Sequence, residues 1–267
     1  MQLNHWFEYE SGHAWCESAY KYQTISVVAE FANTVTNLPL IALPLVNVCL
    51  IKPYIENVNW VVILPHILLT INGIASTYYH ATLNLFGQLI DEISILWLIM
   101  MGIATYFPVT RFYPQQYYKY VNRVRCVIAI ATAVVSTFCF VKPSLNALVL
   151  MLWSIPCISV IYYEGTNSCI SEIAGFPGKI LTLWTAASIS WISDRIFCDF
   201  WLFLGVPYFH ALFHLLSSLA AYNVFIMFSL IDMHSQKNKH YYKYRIKHFP
   251  HKGYIKLPYI VLDYKFH

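Results

Sequence analysis

Seven apolar stretches, 27–51, 60–79, 89–107, 121–140, 145–163, 180–197 and 209–231, constrain this chain more than any other feature in it. A helix rises ~1.5 Å per residue, so runs of about 20 residues span a hydrocarbon core of about 30 Å. Lipid offers the backbone no hydrogen bonds, so such runs fold as helices that satisfy themselves. The composition agrees: 58% of residues are hydrophobic and 11% are charged, where a soluble domain carries about a quarter charged. The expected fold is all-α, a polytopic membrane protein with seven transmembrane helices. It divides into an N-terminal segment at 1–26, a seven-helix transmembrane domain at 27–231 and a basic tail at 232–267. Asn33, Asn37 and Pro39 interrupt the first apolar run, where they are expected to kink its helix and line a polar path. Residues 1–26 hold Glu8, Glu10 and Glu17 and no apolar core of signal type, so the first span is expected to direct its own insertion.

Lysine and arginine placement sets the expected orientation. The tail carries Lys237, Lys239, Lys243, Arg245, Lys247, Lys252, Lys256 and Lys265. Arg111, Lys119, Arg123 and Arg125 fall on the same side, with Lys52 and Lys179, against only Lys21 and Lys142 on the other. The N-terminus is therefore expected to be lumenal or extracellular and the C-terminus cytosolic. The net charge of +4 reflects this tail, with no nucleic-acid partner implied. The tail's interleaved aromatics suit an anionic cytosolic leaflet, or equally a solvated segment. There is no internal repeat, low-complexity stretch or phosphate-binding glycine loop.

Ionisable groups in a span are costly and therefore informative. Ser76 and His80 are spaced i, i+4, as are His210 and His214, so each pair shares a helix face. With the orientation above, His80 ends the second span, Asp91 begins the third and the His210 pair begins the seventh, all at one lumenal depth. Three neutral imidazoles with an open fourth position suit a catalytic zinc. Asp91 could accept a proton from a bound water, and Ser76 could hydrogen-bond that water or a developing oxyanion. A single histidine here could instead bridge helices, and Ser76 could bond back to its own turn. Glu92 points about 100° from Asp91, towards another helix.

Three further groups stand out. Asp194 and Arg195, inside the sixth span, are expected to form a structural ion pair, with contact to a lipid head group as the other reading. Trp15, through its carbonyl, with Glu17 and Glu30 could form an oxygen-ligand cation site or be a solvated acidic segment. Of seven cysteines, Cys16, Cys139 and Cys198 fall on or near the lumenal side, and Cys16 with Cys198 is the expected disulfide.

These residues resemble a known family. Trp15-Cys16-Glu17, Ala29-Glu30-Phe31, Tyr79-His80-Ala81-Thr82-Leu83, Gly87-Gln88-Leu89-Ile90-Asp91-Glu92, Trp191-Ile192-Ser193-Asp194-Arg195 with Cys198, and His210 with His214 look like the alkaline ceramidases. The resemblance implies a seven-span zinc amidase that hydrolyses ceramide to sphingosine and a fatty acid, in the endoplasmic reticulum or Golgi membrane. Its partners would be ceramide, sphingoid lipids and the bilayer. It also implies zinc on His80, His210 and His214, catalytic roles for Asp91 and Ser76, and a Cys16–Cys198 disulfide. Its calcium site uses an Asp before Trp-Cys-Glu and an Asn two residues after the Glu. Here those positions are Ala14 and Ala19, so Trp15, Glu17 and Glu30 are what remains for calcium. The alternative is a seven-span receptor of the adiponectin and progestin receptor type, which has a similar Ser, Asp and three-His set. The Trp-Cys-Glu and Ser-Asp-Arg-x-x-Cys motifs, and an N-terminus opposite to that of those receptors, favour the ceramidases.

Overall fold

The computed structural model describes residues 6–7, 15–110, 112–236, 242–252 and 256–264. It is mostly helical. The first apolar run folds as two pieces, α1 (Phe31–Val35) and α2 (Leu38–Leu50), broken at Thr36 and Asn37 just before Pro39, which lacks the N–H that a continuous helix needs. A short helix α3 (Lys52–Asn57) follows, then α4 (Ile63–Thr82) and α5 (Leu85–Tyr106). Leu83 closes α4 in the left-handed region at φ 51, and the Asn84 side chain caps α5 by accepting from Gly87 N at 2.6 Å. Two close approaches depend on glycine, α4 against α2 at Gly73 and the start of α5 against the end of α4 at Gly87. A Cβ on Gly73 would meet Ile41 Cγ1 at 2.8 Å and Leu40 Cβ at 2.9 Å, and one on Gly87 would meet Tyr79 Cα at 3.0 Å.

The chain continues through α6 (Val121–Val141), α7 (Asn146–Thr166), α8 (Phe176–Ile196), the short α9 (Cys198–Phe203) and α10 (Phe209–Gln236). Helix α10 lies against α8, α2 and α1, so it is central to the bundle. Among the described residues five stretches, Phe31–Leu50, Trp60–Thr82, Leu85–Val109, Gln116–Val141 and Phe209–Ser235, are long and apolar enough to cross a membrane. The other two apolar runs fold as helices α7 and α8, of 21 residues each, which are not among those five.

The tail departs from the all-α expectation. Strands β1 (Tyr242–Phe249) and β2 (Leu257–Tyr264) form an antiparallel pair with Ile246 opposite Ile260. Ile260 and Leu262 enter the core beside Ile51, Tyr54 and Tyr222, and the Tyr222 hydroxyl donates to the Pro258 carbonyl at 2.8 Å. The segment is thus folded against the helices. Its period-two alternation, which puts Tyr244 and Ile246 on one face, is a strand pattern and explains the difference.

Candidate metal centre

Helices α4 and α10 bring the three histidines together. His80, in the last turn of α4, and His210 and His214, in the first turns of α10, are each at most 4% exposed. Their ligand nitrogens all lie within 4.8 Å of one another, and among the described residues no other group of His, Cys, Asp and Glu does so. The Nε2 atoms of His80 and His210 are 3.3 Å apart. Tetrahedral bonds of about 2.0–2.1 Å to one ion would place two nitrogens about 3.3 Å apart, so the pair fits zinc.

Each imidazole is fixed from behind. His80 Nδ1 meets Glu30 Oε2 at 2.6 Å, His214 Nδ1 meets Thr36 Oγ1 at 3.2 Å, and the His210 ring stacks on the Trp15 indole with centroids 3.5 Å apart. Tying up Nδ1 leaves Nε2 of His80 and of His214 for an ion, the arrangement that sets tautomer and ring orientation in metal sites. Asp91, on the first turns of α5, takes hydrogen bonds from the side chains of Ser76 and Asn72, the latter at 3.2 Å. Ser76 is 3% exposed, one turn before His80 on the same face of α4. The five residues singled out in the sequence therefore occupy one end of the bundle. Glu92 turns away, accepting from Gln88 Nε2 and from Asn146 Nδ2 on α7.

The other expectations take different forms. Asp194 and Arg195 do not face each other, because neighbours on a helix point about 100° apart. Instead Asp194 accepts from Cys16 N at 2.9 Å and from His210 N at 3.1 Å, tying the N-terminal segment to the start of α10. Arg195 lies over the opposite partner of the stack, 4.3 Å from the Trp15 ring centroid. The Cys16–Cys198 disulfide is present, closing the same corner.

Glu17 and Glu30 are both buried and committed to protein donors. The Glu17 carboxylate accepts from Ala32 N at 2.6 Å and Asn33 N at 2.8 Å, at the start of α1. Burial pushes the Glu17 carboxyl above its usual range, against the lowering effect of those two N–H groups. Glu30 accepts from Asn33 Nδ2 at 3.0 Å and from the Ser18 hydroxyl as well as facing His80. The Trp15 carbonyl accepts from Ser18 N at 2.9 Å. Glu30 thus serves the histidine cluster, a role the sequence reading missed. Ala14, the other altered calcium position, lies outside the described residues.

Thr36, Asn72 and the Trp15 ring were also missed. Asn72 carried a usable signal, since Asn72, Ser76 and His80 repeat at i, i+4, i+8. Thr36 and Glu30 carried none, being far from their histidines in sequence.

Comparison with known proteins places this geometry. The Ceramidase family model matches residues 7–261. An alkaline ceramidase of Caenorhabditis elegans is 56% identical over 262 residues, 97% of this chain and 96% of that protein. One of Drosophila melanogaster is 34% identical over 83% of this chain and 77% of its own length, and human alkaline ceramidase 1 is 30% identical over 85% of each. With near full-length matches and a histidine cluster assembled from the matched segments, the chain belongs to the ceramidase family.

Proposed function

We propose that the chain is a membrane-embedded, zinc-dependent amidohydrolase that cleaves ceramide into sphingosine and a free fatty acid. The observation that carries this is the buried histidine cluster beside Asp91 and Ser76, in a chain of the ceramidase family. Zinc, when bound, would polarise the amide carbonyl and lower the pKa of a water. Asp91 accepts the water's proton and returns it to the leaving amine. The Ser76 hydroxyl, one turn from His80, hydrogen-bonds the oxyanion of the tetrahedral species. Glu30, Thr36 and Trp15 hold the imidazoles so that these distances persist.

The membrane reading has seven spans, α1 with α2, then α4, α5, α6, α7, α8 and α10. A 21-residue helix is about 31 Å long, which is enough for α7 and α8 to cross. The histidine end faces the lumen of the endoplasmic reticulum or Golgi. Its disulfide needs an oxidising compartment, and the lysine-rich tail belongs on the opposite side. The two chains of ceramide then lie along the spans with the amide at head-group depth. For calcium, two carboxylates and the Trp15 carbonyl are the oxygens left beside Ala14 and Ala19. Calcium takes about 6–8 oxygens, so water would complete any such site.

The test is fatty-acid release by the purified protein from a chain-length panel of N-acylsphingosines, with an O-acyl ester as control. Amide cleavage is expected. A protein that holds its metal yet releases no fatty acid from any ceramide contradicts the reading.

A further inference from the structure

At the end of the bundle opposite the histidines, a groove of about 290 Å³ runs between the start of α4, the end of α5 and the start of α6. Its length is apolar, lined by Leu64, Met100, Met101, Ile128 and Ala129 together with Trp97, whose Nε1 donates to Ser136 Oγ at 3.0 Å. Arg125 and Thr105 line one end, while Thr132 towards the other is satisfied within its own helix, its hydroxyl donating to the Ile128 carbonyl at 2.7 Å. Arg125 Nε donates to the Ala104 carbonyl at 3.0 Å, and Arg125 Nη1 makes one long contact of 3.5 Å with Asn122. A guanidinium has five N–H donors, so several remain to be placed. Beside it the Thr105 hydroxyl is 1% exposed and has no hydrogen-bond partner among the described residues. Lys119 and Arg123 flank the Tyr120 ring on the neighbouring turns. From Ile93 to Tyr163 the sequence contains no Asp or Glu.

A permanently charged guanidinium in an apolar slot facing lipid is costly unless an anion meets it. Phosphate suits both groups here, since it takes paired N–H donors from arginine and accepts from a hydroxyl. An apolar channel leading to that point has the shape of an acyl chain leading to its head group. The positive charge of Arg125, with Lys119 and Arg123 nearby on the same stretch of chain and no carboxylate between Ile93 and Tyr163 in sequence, selects against a head group that carries its own cation.

We propose that this groove binds one anionic glycerophospholipid of the surrounding bilayer, with its phosphate on Arg125 and Thr105 and one acyl chain along α5 and α6. The inference rests on the membrane reading and is independent of the zinc chemistry.

The test is native mass spectrometry of the full-length protein released from micelles containing equal phosphatidylglycerol and phosphatidylcholine. One phosphatidylglycerol per chain is expected, retained several-fold over phosphatidylcholine. Arg125→Gln should abolish that preference, and Ala129→Phe, which fills the channel, should reduce retention of both lipids. Melting temperature reports folding. If Arg125→Gln melts well below the unmodified protein, Arg125→Lys replaces it and should keep the preference. Equal retention of the two lipids by the unmodified protein overturns the proposal. So does a preference unchanged in a folded Arg125→Gln variant or lost in Arg125→Lys, or retention unchanged in Ala129→Phe.

Discussion

Each histidine of the triad is held by a different neighbour: a carboxylate behind His80, a hydroxyl behind His214 and an indole face against His210. The charged partner should matter most. Glu30→Gln keeps the shape but weakens the acceptor, so zinc affinity is expected to fall about 10–100-fold, measured by competition with a chelator. An unchanged affinity would place Glu30 outside the metal centre. Asp91→Asn should retain zinc and lower ceramide turnover by roughly 10²–10⁴-fold, the range of a lost proton acceptor. If more than about a third of the rate survived, Asp91 would be an orienting group. Ser76→Ala, which removes one oxyanion contact, should cost no more than about 10²–10³-fold. At this scale the sequence was readable where helical spacing carried the information. Asn72, Ser76 and His80 fall on one face by count alone. Glu30 and His80 are 50 residues apart, and only packing of α1 beside α4 brings them together.

Close helix crossings depend on two glycines. Gly73→Ala places a methyl 2.8–3.0 Å from Ile41 and Leu40, including the Ile41 backbone nitrogen. Overpacking of this kind typically costs about 1–3 kcal/mol, so a lower melting temperature at unchanged zinc stoichiometry is expected. A melting temperature equal to that of the unmodified protein would show that α2 and α4 can separate freely. The helices themselves were legible because hydropathy reports burial in lipid and the backbone has few alternatives there. The break between α1 and α2 was signalled by Asn37 and Pro39. The hairpin was not, because its basic residues outweighed an eight-residue alternation, and the partner surface on α10 is visible only in three dimensions. The pairing of Asp194 with backbone N–H groups was hidden for the same reason. Adjacency to Arg195 in sequence suggested a pair that helix geometry turns apart.

For the whole molecule, one end gathers the disulfide, the histidines, Asp91 and Ser76, and the other gathers the hairpin and the basic residues of α6. If the first end is lumenal, Cys16 and Cys198 in unreduced membranes should resist a thiol reagent from either side. Losing that bond should destabilise the fold by about 2–5 kcal/mol. Labelling of Cys16 from the cytosolic side of intact vesicles would invert the orientation. The central claim is that the histidine cluster holds the zinc on which amide cleavage depends. Its most direct test is ceramide hydrolysis by one purified preparation, measured as isolated, after metal removal by chelation and after restoring zinc. The account predicts a rate that falls to background when the metal is removed and returns on adding about one zinc per chain. Full hydrolysis by protein shown to be free of metal would contradict it.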